Sequence, residues 1–165
     1  MNYYIFNSSR KRDTNMLSKE QIFQIREFNR HYTQALGILN KNIFNMNLTW
    51  PEGRILIEIG LNKYATPMAI ANNLQMDKSY TSRIINNLVK KDIVTKRPSP
   101  EDKRSVQIQL TDHGTQVFNE VNENSNKQVN NLLDHLSASQ KEKYFNDIME
   151  INQLIFGGTK NDMED

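Results

Sequence analysis

Apolar residues recur at three- and four-residue spacing through four stretches of this chain, each behind a recognisable helix start. Ser18 followed by Gln21 is a capping-box pattern, and it opens a helix expected to run to about Phe44. Its stripe is Ile22, Ile25, Phe28, Tyr32, Leu36, Leu39 and Ile43. Thr49 and Glu52 form a second such box with Pro51 in the first turn. The helix behind it sends Ile55, Leu56, Ile59 and Leu61 inward and ends near residues 60–62. Thr111 caps a helix to about Leu136 with a sparse face of Val117, Val121, Val129, Leu132 and Leu133. Ser137 with Gln140 starts the last helix, whose stripe is Tyr144, Ile148, Ile151 and Ile155 and which Gly157-Gly158 ends.

The middle stretch, Thr66 to Thr111, has a different rhythm. Thr66 caps a short helix with Pro67 at its first position, and Met68, Ile70, Ala71 and Leu74 share one face. Asp77 caps a second helix with the inward stripe Thr81, Ile84, Ile85 and Leu88, at i, i+3, i+4 and i+7. The other side of that helix carries Lys78, Ser79, Ser82, Arg83 and Asn86. Ile93 to Lys96 and Val106 to Leu110 read as strands, with a charged turn from residue 98 to 103 between them. Two helices followed by a basic-tipped hairpin make a winged helix-turn-helix, a shape that reads DNA. The predicted fold class is mainly α with a small β-hairpin wing, the winged module being flanked by dimerisation helices.

Charge sharpens this picture. From Asp77 to Ser105 there are eight Lys/Arg against four acids, a net +4, whereas the whole chain is only +2. A basic module in a near-neutral chain suggests an anionic partner at one place. A Lys/Arg run is more often a solvated face, and charge alone favours that reading; the hairpin and the topology reverse it.

Residues 48–114 resemble the core of the MarR family of transcriptional regulators. The resemblance is carried by LTWPEGRILIEI, by MDKSYTSRIINNLVKKDIV and by RPSPEDKRSVQIQLTDHG, the last with Asp102-Lys103-Arg104 on the wing and Leu110-Thr111 opening a long helix. Asp92 stands where the family usually has glycine, at a helix exit that favours φ > 0. REFNRHYTQALGILN with LTWPEGRILIEI also resembles the regulator half of MarR–acetyltransferase fusions. The resemblance implies a small, often aromatic or anionic effector held between two lobes that weakens DNA affinity, and His31, Tyr32, Trp50 and Arg54 are assigned to that cleft. Core packing weighs more heavily than ligand contact for Trp50, the single tryptophan.

On the recognition helix, Arg83 is the leading candidate, because a guanidinium pairs bidentately with guanine or phosphate. Ser79, Tyr80, Ser82 and Asn86 are secondary candidates, and Lys78 suits phosphate. On the wing, Lys96 and Arg97 supply charge, Arg104 suits a narrow minor groove, and Lys103 suits phosphate. Asp102 either braces Arg104 or simply forms the turn after Pro100; the family resemblance favours the first role.

Composition limits the alternatives. An apolar share of 37% is low for a monomer with a large core, and fits helices completed by a second copy. No apolar run approaches the ~20 residues of a membrane helix, and the start lacks a secretory pattern. With no cysteine there is no disulfide or thiol switch, and a cytoplasmic location is expected. His31, His113 and His135 share no metal-ligand spacing, and no phosphate loop or catalytic triad is visible, so no enzyme activity, cofactor or metal is expected. The expected layout is an arm over 1–17, a dimerisation helix over 18–47, the winged module over 48–111, dimerisation helices over 112–158 and an acidic tail over 159–165. The leading reading is a homodimeric regulator, a repressor, on a pseudo-palindromic double-stranded operator. The alternatives are a non-catalytic partner or part of an acetyltransferase system, and a winged helix used only for protein contacts.

Overall fold

The computed structural model describes residues 16–62, 65–98 and 105–157, and divides at Leu39–Asn40 into two units. The first holds α1 (Lys19–Ala35), opened by the expected capping box: Gln21 N–H donates to Ser18 Oγ and Ser18 N–H to Gln21 Oε1. The helix ends at Ala35, not near Phe44. Gly37 takes φ 65°, its N–H donates to Gln34 O, and Ile38 N–H donates to Thr33 O. That pair of bonds is a Schellman termination, which glycine accommodates without strain.

The second unit contains the 3-10 turn Ile43–Asn45, α2 (Trp50–Leu61), α3 (Pro67–Asn73), α4 (Lys78–Lys90), β1 (Val94–Pro98), β2 (Val106–Leu110), α5 (Asp112–Leu133) and α6 (Ala138–Phe156). Every predicted cap is in place: Thr49, Thr66, Asp77, Thr111 and Ser137 each accept from the backbone N–H three residues on. β1 and β2 pair antiparallel, Val94 opposite Leu110 and Pro98 opposite Val106. A single bridge adds Ala65 beside Ile108, whose N–H donates to Ala65 O at 2.8 Å.

The core forms where α2, α4 and the hairpin converge. Ile55, Leu56, Ile85, Leu88, Ile108 and Val121 are fully buried, each contributing roughly 1.5–3 kcal/mol by leaving water. Ile43, expected on the first helix, packs here instead. Two residues assigned inward face solvent: Leu61 is 71% exposed and Met68 51%. Leu61 lies two residues past Ile59, about 200° around the helix, and Met68 likewise sits two positions before Ile70. The first strand begins at Val94, one residue later than expected, and α5 stops at Leu133, short of Leu136. Phe118, absent from the predicted face of α5, packs on the core beside Gly60, where a Cβ would collide with its ring.

α1 and α6 contain no buried residue. Phe23 and Phe28 on α1, and Phe145, Leu154, Ile155 and Phe156 on α6, are more than half exposed.

Candidate nucleic-acid interface

Three local features set α4 on the surface. Asp77 Oδ1 accepts from Tyr80 N–H at 2.8 Å and starts the helix. The turn from α3 closes with Gln75 at φ 51°, its N–H on Asn72 O and Met76 N–H on Ala71 O, a second Schellman termination. The inward stripe is as predicted: Thr81, Ile84, Ile85 and Leu88 are all buried, and Thr81 satisfies its hydroxyl by donating to Asp77 O. The remaining side is therefore turned to solvent. Lys78, Ser79, Tyr80, Ser82, Arg83 and Asn86 are all exposed.

The helix ends in a third Schellman termination, and here the chain uses Asp92 at φ 56°. Its N–H donates to Val89 O and Ile93 N–H donates to Leu88 O, each at 3.0 Å. The Thr111 hydroxyl, which caps α5, donates to Asp92 O at 2.6 Å, so the exit of α4 and the start of α5 are bound together. Gly114 completes this junction, since a Cβ there would overlap the Ile93 carbonyl.

The hairpin runs beside α4. Lys96 Nζ donates to Asn86 Oδ1 at 2.6 Å, linking β1 to the outer face of α4. Arg97 is exposed on the opposite face of the same strand. Within α4, the Arg83 guanidinium carbon lies 5.6 Å from the centre of the Tyr80 ring. The wing-tip residues Asp102, Lys103 and Arg104 lie outside the described residues, as do most of the N-terminal arm and the acidic tail.

One cation counted in the basic module is used internally. Lys91 Nζ donates to both oxygens of Glu52, at 2.8 and 2.9 Å, and to Asn47 O at 2.9 Å. Glu52 is only 4% exposed. Burial opposes its charge, but the Lys91 hydrogen bond, the Thr49 backbone N–H and the Lys91 charge prevail and hold its carboxyl below the ordinary value. This pair ties the N-terminus of α2 to the end of α4, and nothing local in the sequence announces it.

The four residues assigned to an effector are divided between the units. His31 and Tyr32 lie on α1, where Tyr32 stacks on Phe28 at 5.4 Å; Trp50 and Arg54 lie on α2, where Trp50 packs near Phe44 at 6.2 Å and Arg54 is exposed. A cavity of about 400 Å³ in the second unit is lined by others: Met46, Leu48, Ile93 and Val117 form its apolar wall, with Asn47, Lys91, His113 and Glu120 as polar groups. Among the described residues no three His, Asp or Glu gather as metal ligands, and no helix is long and apolar enough to cross a membrane.

These features have counterparts in known proteins. The MarR family model matches residues 48–106. The HTH-type regulator YfiV of Bacillus subtilis is 22% identical over 115 residues, 70% of this chain and 72% of that protein. The multiple antibiotic resistance protein MarR of Escherichia coli is 29% identical over 80 residues, 48% of this chain and 56% of that protein. A MarR family protein from Bacillus stearothermophilus superposes with a TM-score of 0.68 at 16% identity, over 84% of this chain and 97% of the other. A mutant MarR from E. coli complexed with operator DNA superposes with a TM-score of 0.64 at 22% identity, over 82% and 98%. The chain's fold is similar to theirs along most of its length, and its residues 48–106 match the MarR family model.

Proposed function

We propose that this protein is a homodimeric transcriptional repressor that binds a pseudo-palindromic operator. The exposed polar face of α4 carries this reading: six of its side chains point to solvent while its apolar stripe is locked into the core. A helix presented in this way fits the major groove of B-DNA, and its donors meet base edges there. The hairpin beside it places Lys96 on the same surface, and its tip, with Lys103 and Arg104, is assigned to the minor groove. The structural neighbour complexed with operator DNA supports the DNA-binding reading.

Dimerisation is assigned to the segments 18–47 and 112–158. Their support is the unburied apolar surface of α1 and α6, which a second copy would cover. Two recognition helices would then meet half-sites about one turn, ~34–36 Å, apart. The effector is assigned to the 400 Å³ cavity against α5, whose mixed lining suits a small molecule with an apolar body and polar substituents. Such a molecule releases DNA only by favouring the non-binding geometry.

The test is selection from fragmented DNA of the source genome, followed by fluorescence anisotropy over a salt series. The expected result is an enriched inverted repeat bound with a steep salt dependence, weakened by about 1–3 kcal/mol in Arg83→Ala and with a shallower salt slope in Lys78→Ala. Light scattering should give twice the 19.3 kDa chain mass. Failure to enrich any sequence overturns the operator reading, and a monomeric mass at micromolar concentration overturns the dimer.

A further inference from the structure

Two contacts on the outer face of α4 divide its polar residues into two kinds. Arg83 lies three positions after Tyr80, on the same side of the helix, with its guanidinium carbon 5.6 Å from the ring centre. On the following turn, Asn86 Oδ1 accepts from Lys96 Nζ at 2.6 Å, across from the strand. In each pair a cation on a long, rotamer-rich stem is held by a shorter side chain.

The chemistry of each holder limits what else it can do. A guanidinium over an aromatic ring uses its face, and its N–H edge remains available for guanine O6 and N7 or for a phosphate. Asn86 is different, because reading adenine bidentately takes both its amide oxygen and its amide nitrogen. That oxygen already accepts from the Lys96 ammonium, which uses one of its two lone pairs and commits the amide's orientation to the strand. Lys96 keeps further N–H donors, since an ammonium has three. A cation held in the free protein loses less freedom when it engages a ligand.

The geometry points to Tyr80 and Asn86 as positioning residues, which hold Arg83 and Lys96 for the nucleic acid and do not themselves read bases. This rests on the DNA-binding reading of α4 given above. Specificity on this face is then set by Arg83 with Ser79 and Ser82, and Lys96 fixes the register of the strand on the duplex.

The experiment is a pair of double-mutant cycles on the selected operator, read by anisotropy. Tyr80→Leu should weaken binding about two- to tenfold, the usual cost of immobilising one flexible side chain. The same change should cost nothing further in an Arg83→Ala background, and Tyr80→Phe should bind like wild type. Asn86→Ala should weaken binding to a similar extent, become silent in Lys96→Met and leave the preferred bases unchanged. Equal costs with and without the held partner overturn the assignment, as does relaxed preference at one base pair in Asn86→Ala. If Arg83→Ala and Lys96→Met both bind as tightly as wild type, the DNA reading of this face falls and the assignment with it. A DNA-free measurement separates the two ideas. The Arg83 δ-methylene protons should be shifted upfield by the Tyr80 ring in NMR spectra of the free protein and should return to ordinary positions in Tyr80→Leu. Unshifted protons in the wild type overturn the Tyr80 role whatever the DNA measurements show.

Discussion

Replacing Lys91 by methionine tests the internal ion pair most directly. The change keeps an unbranched stem of similar length and removes an ammonium that makes three hydrogen bonds, two to Glu52 and one to Asn47 O. Glu52 keeps its bonds from Thr49 but is left as a buried carboxylate without a countercharge. Losing one member of a buried pair costs about 3–5 kcal/mol. The lysine side chain is 31% exposed, so water reaches one end of this pair, and a loss of roughly 2–3 kcal/mol is the expected value. The pH dependence identifies the cause. In the wild type the Glu52 carboxyl is held below its ordinary 4.5, so the folded state binds fewer protons than the unfolded one in that range. Its contribution is therefore complete above 4.5 and disappears as the pH falls through the folded-state value. The deficit of Lys91→Met should be largest at neutral pH and shrink on acidification, as Glu52 is protonated first in the variant, where Lys91 no longer offsets its burial, and then in the wild type. Urea unfolding at several pH values from 7 downward, followed by circular dichroism, measures this. A deficit under about 0.5 kcal/mol at neutral pH, or one that does not change with pH, would refute the argument; the first outcome is what a surface pair would give.

Two further changes probe the junction at the exit of α4. Asp92→Gly should stabilise the protein by about 0.5–1 kcal/mol, because φ 56° strains a residue with a Cβ and not glycine; a lower urea midpoint for the variant would contradict this. Gly114→Ala should destabilise by about 3 kcal/mol, the upper part of the range for overpacking, because the obstacle is the Ile93 carbonyl on the backbone and not a movable side chain. An unchanged thermal midpoint in Gly114→Ala would show that α5 and the α4–β1 connection can separate at little cost.

The sequence by itself determined every feature whose cause lies within one helical turn. The caps at Ser18, Thr49, Thr66, Asp77, Thr111 and Ser137 are legible because donor and acceptor are three residues apart, and all six are formed. The buried stripe of α4 is legible for the same reason, since helical spacing alone brings Thr81, Ile84, Ile85 and Leu88 onto one face. The positive φ expected at Asp92 follows from its place just past a helix end. The early end of α1 was also locally encoded, by Gly37, but the continuing apolar period through Leu39 and Ile43 disguised it. Tertiary structure alone decided the rest. Spacing cannot say that Phe118 lies against Gly60 or that Ile43 joins the core of the second unit. It also cannot show that Lys91 is neutralised by a carboxylate 39 residues away, or that Lys96 reaches across to Asn86. Those outcomes depend on which elements become neighbours, and burial and electrostatics act between neighbours in space however far apart they lie along the chain.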